Sequence, residues 1–189
     1  MPRVAITGHT KGIGLAIAKH YETKGYQVQG FSRSNGWDIS LSECRLEIVK
    51  QSFDADIFVN NAMVFTDNSQ ALLLKEILKS WEGLDRIIIN VSSISGDFIF
   101  REMNSDTFQA SKRYGNHWPY ALYKHDQDKI CNGHVGLPWL INLRPGLTDT
   151  EYVKHISAKK IPVESIDNIL NFIHSNDKQF KITSISFIP

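Results

Sequence analysis

Apolar residues along this chain fall either into short continuous runs or into helical spacings, and the two kinds of segment alternate. Val4-Ala5-Ile6 is a short apolar run that ends in a glycine-rich turn. From Leu15 to Lys24 the spacing predicts a helix with Leu15, Ala18 and Tyr21 on one face, stopped by Gly25. Tyr26 to Phe31 alternates like a strand, so the chain opens as strand, helix, strand, the unit that builds parallel sheets. A short helix follows to about Ser52, with Ser40 as its expected N-cap and Glu43 at the third helical position. Asp56-Ile57-Phe58-Val59 reads as a buried strand, and Ser69 to Trp81 as a helix with Leu72, Leu73, Ile77 and Leu78 inward. Arg86 to Ser93 is the most apolar strand. Residues 94–119 carry no sustained period and are expected to form a long loop with one helical turn. Helices are predicted from Tyr120 to Cys131 and from Pro162 to Ser175, the latter with Ile166, Ile169, Leu170 and Ile173 inward. Strands are predicted at Leu140–Arg144 and Phe180–Ile188. Strands alternating with helices in this way predict an α/β fold.

Composition narrows this picture mainly by exclusion. At 189 residues and 21.5 kDa the chain is expected to form one domain, residues 1–189, with a core that needs neither disulfide nor metal. A net charge of +1 gives no electrostatic reason to expect nucleic acid or a membrane as partner. Cys44 and Cys131 form no ligand spacing, so no metal and a reducing compartment are expected. The chain enters a strand at once, and no apolar run approaches the roughly 20 residues that span a bilayer. A cytoplasmic location is the expectation.

The chemistry begins at Thr7-Gly8-His9-Thr10-Lys11-Gly12-Ile13-Gly14. A strand that ends in a tight glycine turn and restarts as a helix aims backbone N–H groups and the positive end of a helix dipole at one point, where an anion belongs. Gly8 would allow the turn, Gly12 a close backbone approach to a pyrophosphate, and Gly14 close packing of helix on sheet. At the end of the second strand an acidic residue would bind a ribose 2′-OH, whereas a basic one accommodates a 2′-phosphate. Here Ser32-Arg33-Ser34 supplies Arg33 and the turn supplies Lys11, which favours NADP(H) over NAD(H). The competing readings are a glycine turn without a ligand and two solvated surface cations. Asn60-Asn61-Ala62 and Ser92-Ser93 place polar groups at the carboxyl ends of strands, where ligands bind in parallel sheets.

Tyr120-Ala121-Leu122-Tyr123-Lys124 sets a lysine four residues after a tyrosine, on one helical face. An ammonium beside a phenol stabilises the phenolate, lowers its pKa and turns the tyrosine into a usable general acid or base. Taken together, Thr7-Gly8-x-x-x-Gly12-Ile13-Gly14, Asp38-Ile39, Asn60-Asn61-Ala62, Asn90-Val91-Ser92-Ser93, Tyr120-x-x-x-Lys124 and Pro145-Gly146-x-x-x-Thr150 stand in the order of short-chain dehydrogenase/reductases, which the whole chain resembles. The resemblance implies a single doubly wound Rossmann-type domain, a parallel sheet with helices on both faces, and hydride transfer between a nicotinamide and a carbonyl or alcohol carbon. By the same resemblance Tyr120 is the acid/base, Lys124 binds the nicotinamide ribose, and Ser93 orients the substrate oxygen. Asp38 and Ile39 would contact adenine, and Asn60, Asn61, Ala62 and Val91 would wall the cofactor. Gly8, Thr10, Lys11, Gly12, Ile13, Gly14, Ser32 and Arg33 would hold its phosphates and ribose. Pro145, Gly146, Thr148 and Thr150 would fix the carboxamide.

The chain departs from the family pattern in four places. Met63 stands where glycine is usual and narrows the expected cofactor groove. The stretch from Ala62 to Ser93 is short, so the family's helix-borne asparagine has no secure equivalent, Asn68 being the nearest. The stretch from Ser93 to Tyr120 is long and that from Thr150 to Pro162 short. Family members often pair through the helix that starts at the tyrosine. Here that helix reads Lys124-His125-Asp126-Gln127-Asp128-Lys129, very polar for a buried surface, so a smaller homodimer or a monomer is expected. Two functions stay open: an NADPH-dependent carbonyl reductase acting on a small carbonyl or alcohol substrate, and a non-catalytic NADP(H)-binding sensor or scaffold of the same fold.

Overall fold

The structure is a computed structural model, and it describes residues 1–97, 117–176 and 181–189. In chain order the elements are β1 (Arg3–Thr7), α1 (Gly12–Thr23), β2 (Gln27–Phe31), α2 (Ser42–Gln51), β3 (Ile57–Asn60), α3 (Ser69–Ser80), β4 (Ile87–Val91), α4 (His117–Gly133), β5 (Trp139–Pro145), α5 (Ser165–Asn176) and β6 (Ser184–Phe187). All strands run parallel in one sheet of order β2-β1-β3-β4-β5-β6. The α/β expectation therefore holds, with the sheet doubly wound about β1. Most of the expected loop, residues 98–116, lies outside the described residues, and α4 begins at His117, three residues before the predicted start.

Strand periodicity sorts the core into two layers. Val4 and Ile6 of β1, Ile57 and Val59 of β3, and Ile89 and Val91 of β4 pack with Ile17 and Tyr21 of α1 and Ile166, Leu170 and Ile173 of α5. Ala5, Phe58 and Ile88, one residue out of phase, face Ile48 of α2 and Leu73, Leu74, Ile77 and Trp81 on the α3 side. Two helix faces differ from those expected at one position each. Ala18 and Tyr21 of α1 and Leu73 and Ile77 of α3 are buried as expected, but Leu15 and Leu72 are exposed, and Ile17 and Leu74 meet the sheet in their place. Ser40 is not the N-cap of α2; Leu41 is, since both the Ser40 backbone N–H and its hydroxyl turn back to Asp38.

On the α3–α4 side the sheet's carboxyl end carries a polar layer. Asn60, Asn90 and Asn142 stand in register on β3, β4 and β5. Asn60 Nδ2 donates to Asn90 Oδ1 at 2.9 Å, Asn90 Nδ2 to Asn142 Oδ1 at 3.0 Å, and Asn142 Nδ2 to Asp128 Oδ1 of α4 at 2.7 Å. Asp128 also accepts from the Ser92 hydroxyl at 2.7 Å and from Arg144 Nε at 3.2 Å. Lys124, Gln127 and Asp128 are thus buried against the sheet, and much of the polarity of α4 belongs to its inner face. The composition of this helix therefore says nothing about an outer interface.

Asp128 accepts from the buried Asn142 and Ser92 side chains and pairs with Arg144, so its removal leaves two buried donors without this acceptor and takes one of two carboxylates from the guanidinium, which keeps Asp97. Asp128→Ala is expected to cost about 3 kcal/mol of unfolding free energy, measured by urea denaturation.

Candidate active site

Strand order reverses between β1 and β3, which opens a crevice above their carboxyl ends. The crevice is a cleft of about 470 Å³. Its floor is the glycine turn: Gly8, Thr10, Lys11, Gly12, Ile13 and Gly14 all line it. Gly8 and Gly12 have φ of 70° and 52°, conformations that L side chains rarely adopt. A Cβ at Gly14 would collide with the Gly8 carbonyl and the Asn61 amide, so helix and turn meet there only because a side chain is missing. The first turn of α1 holds no acidic residue, and the Lys11 side chain does not cap it, so nothing from the helix offsets its positive end.

The turn is held by its neighbour strand. Thr7 Oγ1 accepts the backbone N–H groups of Asn61 and Ala62, each at 3.0 Å, and donates to Val59 O at 3.2 Å. Asn61 Nδ2 donates to the carbonyls of Thr7 and Gly8 at 3.0 and 3.2 Å. Asn61 and Ala62 line the cleft, whereas Asn60 is fully buried in the polar layer and does not reach it.

At the far end Ser32, Arg33, Asp38 and Ile39 form the wall. Arg33 opens a 3₁₀ turn after β2 and is exposed. Hydrogen bonds from the Ser40 backbone and hydroxyl, helped by the Arg33 charge, hold the Asp38 carboxyl below its ordinary value. Buried Arg45 fixes this loop by donating to the Ile39 and Ser40 carbonyls at 2.9 and 3.3 Å. Thr150 closes the opposite wall, but Thr148 is buried and bridges to Ile161. Pro145 ends β5, and Gly146 is tied by its N–H to Phe187 O at 2.8 Å.

Ser93, Tyr120 and Lys124 meet beside the cleft rather than in its lining. The Ser93 hydroxyl donates to Ser95 Oγ at 3.2 Å and to Pro145 O at 3.3 Å, and it lies close enough to the Tyr120 phenol to favour its ionised form. Lys124 Nζ lies 5.6 Å from the centre of the Tyr120 ring. It donates to the Val91 carbonyl and to Gln70 Oε1, both at 2.8 Å. Burial pushes Lys124 down to about 7, against the pull of Asp128. Burial also pushes the Tyr120 phenol up; the nearby Ser93 hydroxyl opposes this, while Tyr152 and Asp128 add to it. The expected lowering of that phenol is thus not what the structure shows, since desolvation outweighs the stabilising contacts. Asn68 does not approach Lys124. It precedes α3 and donates to Asp126 Oδ2 at 2.9 Å.

The sequence reading missed Gln70, Trp37, Phe65 and Tyr152. Trp37, Phe65 and Tyr152 line the cleft beside Met63. Phe65 joins the cleft to the second group: its ring stacks on Tyr120 at 5.7 Å and on Tyr152 at 4.9 Å. Phe65 follows two residues after Met63 and Tyr152 two after Thr150, so the motif ends pointed at them, but their pairing needs the fold.

A family model described as short chain dehydrogenase matches residues 2–113. The chain belongs to the short-chain dehydrogenase family. That match ends before Tyr120, so the second half of the site rests on the geometry above. The chain is 36% identical over 110 residues to a 3-oxoacyl-[acyl-carrier-protein] reductase FabG of Buchnera aphidicola subsp. Acyrthosiphon pisum, a match spanning 47% of this chain and 43% of that relative. It is 26% identical over 227 aligned positions to the reductase of the same name from Buchnera aphidicola subsp. Schizaphis graminum, over 93% of this chain and 90% of the relative. Among solved structures, a 3-alpha-hydroxysteroid dehydrogenase from Pseudomonas sp. B-0831 complexed with NADH superimposes with a TM-score of 0.73 over 98% of this chain and 94% of that one, at 20% identity. That likeness is one of fold.

Gly14 is the position where the cleft tolerates least change. Gly14→Ala is expected to weaken nicotinamide-nucleotide binding by about tenfold or more, because the added methyl must push the Gly8 carbonyl and Asn61 apart; fluorescence titration with NADPH measures it.

Proposed function

We propose that this protein is an NADPH-dependent reductase that moves a hydride to a carbonyl carbon, with Tyr120 giving the proton. The observation that carries the reading is the meeting of Ser93, Tyr120 and Lys124 at the mouth of a glycine-floored cleft, through the Phe65 stack. The cleft fits a dinucleotide on the chain's own geometry: a side-chain-free floor at Gly8, Gly12 and Gly14 under the start of α1, and a wall at Asp38 and Ile39. A bound nicotinamide would supply the hydride.

Each of this chain's residues then has a stated task. Lys11 and Arg33, both exposed on the cleft, offer two cations to a 2′-phosphate. The steroid dehydrogenase neighbour is complexed with NADH, so the preference for NADPH stands on these two cations alone. Ser93 holds the substrate oxygen against the Tyr120 hydroxyl. Tyr120, its phenol raised by burial, stays protonated at neutral pH and donates to the developing alkoxide. Lys124 keeps a positive charge beneath the phenol while the proton leaves. The names of the Buchnera relatives make a 3-oxoacyl thioester one of the carbonyls to try.

NADPH and NADH titrations on wild type and Arg33→Ala test the cofactor assignment. About tenfold weaker NADPH binding with NADH unchanged is expected, and equal affinity of wild type for both nucleotides would overturn it. NADPH oxidation with acetoacetyl thioester, ketones, aldehydes and quinones tests the reaction. Tyr120→Phe should keep NADPH binding and lose turnover by about 10²–10⁴-fold. Binding without turnover on any carbonyl leaves the sensor reading in its place.

A further inference from the structure

Lys124 is 3% exposed and Gln70 1%, so this ammonium has been taken out of water and its donors must be met by protein. An ammonium has three N–H donors. Two are committed, to Val91 O and to Gln70 Oε1. With two directions set, tetrahedral geometry sets the third.

The Gln70 oxygen is itself held in place. Gln70 Nε2 donates to the carbonyls of Asn60 at 2.8 Å and Val91 at 3.1 Å, which turns its oxygen toward α4. There it accepts from Lys124 and also from Gln127 Nε2 at 3.0 Å. A flipped amide would set its NH₂ against two donors, so the network admits one orientation. The amide is therefore a rigid acceptor fixed by strand carbonyls.

We propose that Gln70 is a positioning residue: its side-chain oxygen holds the Lys124 ammonium so that the one remaining N–H is aimed toward Tyr120 and the cleft. This rests on the reductase reading for its purpose, though not for its test. It also gives α3 a direct part in the site, whereas Asn68 precedes the helix and donates to Asp126.

The titratable and charged groups around Lys124, among the described residues, are Tyr120, Asp128 and Cys131 on its own helix and, through Asp128, Arg144 of β5. From α3 and β4 it meets only the neutral Gln70 amide and the Val91 carbonyl. Losing an acceptor of the charged form lowers the pKa of a lysine, and a carboxylate in its place raises it. Gln70→Met should move the Lys124 midpoint down by about one to two pH units, the range a hydrogen bond to a charged group supports. Gln70→Glu should move it up. Asn90→Leu removes a buried amide from the same layer that bonds neither Lys124 nor Gln70 and should leave the midpoint in place.

The measurement is a pH titration of the Lys124 side chain by NMR on lysine-labelled protein, its signal assigned by its loss in Lys124→Met. The alkaline limb of NADPH oxidation should move with the midpoint in each variant. If Gln70→Met fails to fold, the upward shift in Gln70→Glu decides alone. Midpoints unmoved in the Gln70 variants, or moved as far by Asn90→Leu, would overturn the assignment. Absence of turnover in every protein, wild type included, would sink the reductase reading and leave the NMR result to judge Gln70.

Discussion

The structure is arranged around the burial of one ammonium group beneath the carboxyl end of its sheet. An unpaired charge there costs far more than a folded domain can spare, so the Lys124 donors demand acceptors. A strand carbonyl meets one of the three and a side-chain amide a second. That amide must in turn be anchored, which brings in Asn60 and Val91; the neighbouring strands add Asn90 and Asn142, and Asp128 ends the row. A polar network of this kind is tolerable only when its members are satisfied together. Its strictness is also its use, because it leaves the lysine little freedom of direction.

The second constraint is the crevice at the reversal of strand order. There Thr7 and Asn61 tie β1 to β3 through side chain and backbone alike, so the glycine turn keeps its shape without bulk. Phe65, just beyond that tie, touches Tyr120 on α4. The cleft and the tyrosine are thereby joined through one ring rather than merely adjacent.

Much of this was legible from the chain. The glycine turn shows because its spacing is local and each glycine answers a backbone need, and the alternation of apolar runs with helical spacings shows the parallel sheet. The polar layer does not show. Asn60, Asn90 and Asn142 lie about thirty and fifty residues apart, and only parallel register sets them side by side. Read alone, Asn60 looks like a cofactor contact and the inner face of α4 like an unusually polar outer surface. Gln70 hides for the same reason, inside a run that reads as core-facing helix. Faces of short helices drift too: Leu15 and Leu72 fit the predicted stripe, yet Ile17 and Leu74 go inward in their place, beside Ala18 and Leu73.

The balance at Tyr120 bears on direction. A phenol raised by burial is a stable proton carrier at neutral pH but a reluctant base. Giving the proton to a developing alkoxide relieves it only if positive charge stands close by when the phenolate forms, and burial, which draws Lys124 down to about 7, works against that charge. The two shifts oppose each other in a useful way. On the reductase reading, burial keeps the proton on the tyrosine until a substrate oxygen arrives, and the phenolate that then forms raises the affinity of the lysine for its own proton, since an opposite charge favours the ammonium. On the reductase reading proposed above, the reverse reaction must first take a proton from this tyrosine, so the free protein rests in the form that reduction uses.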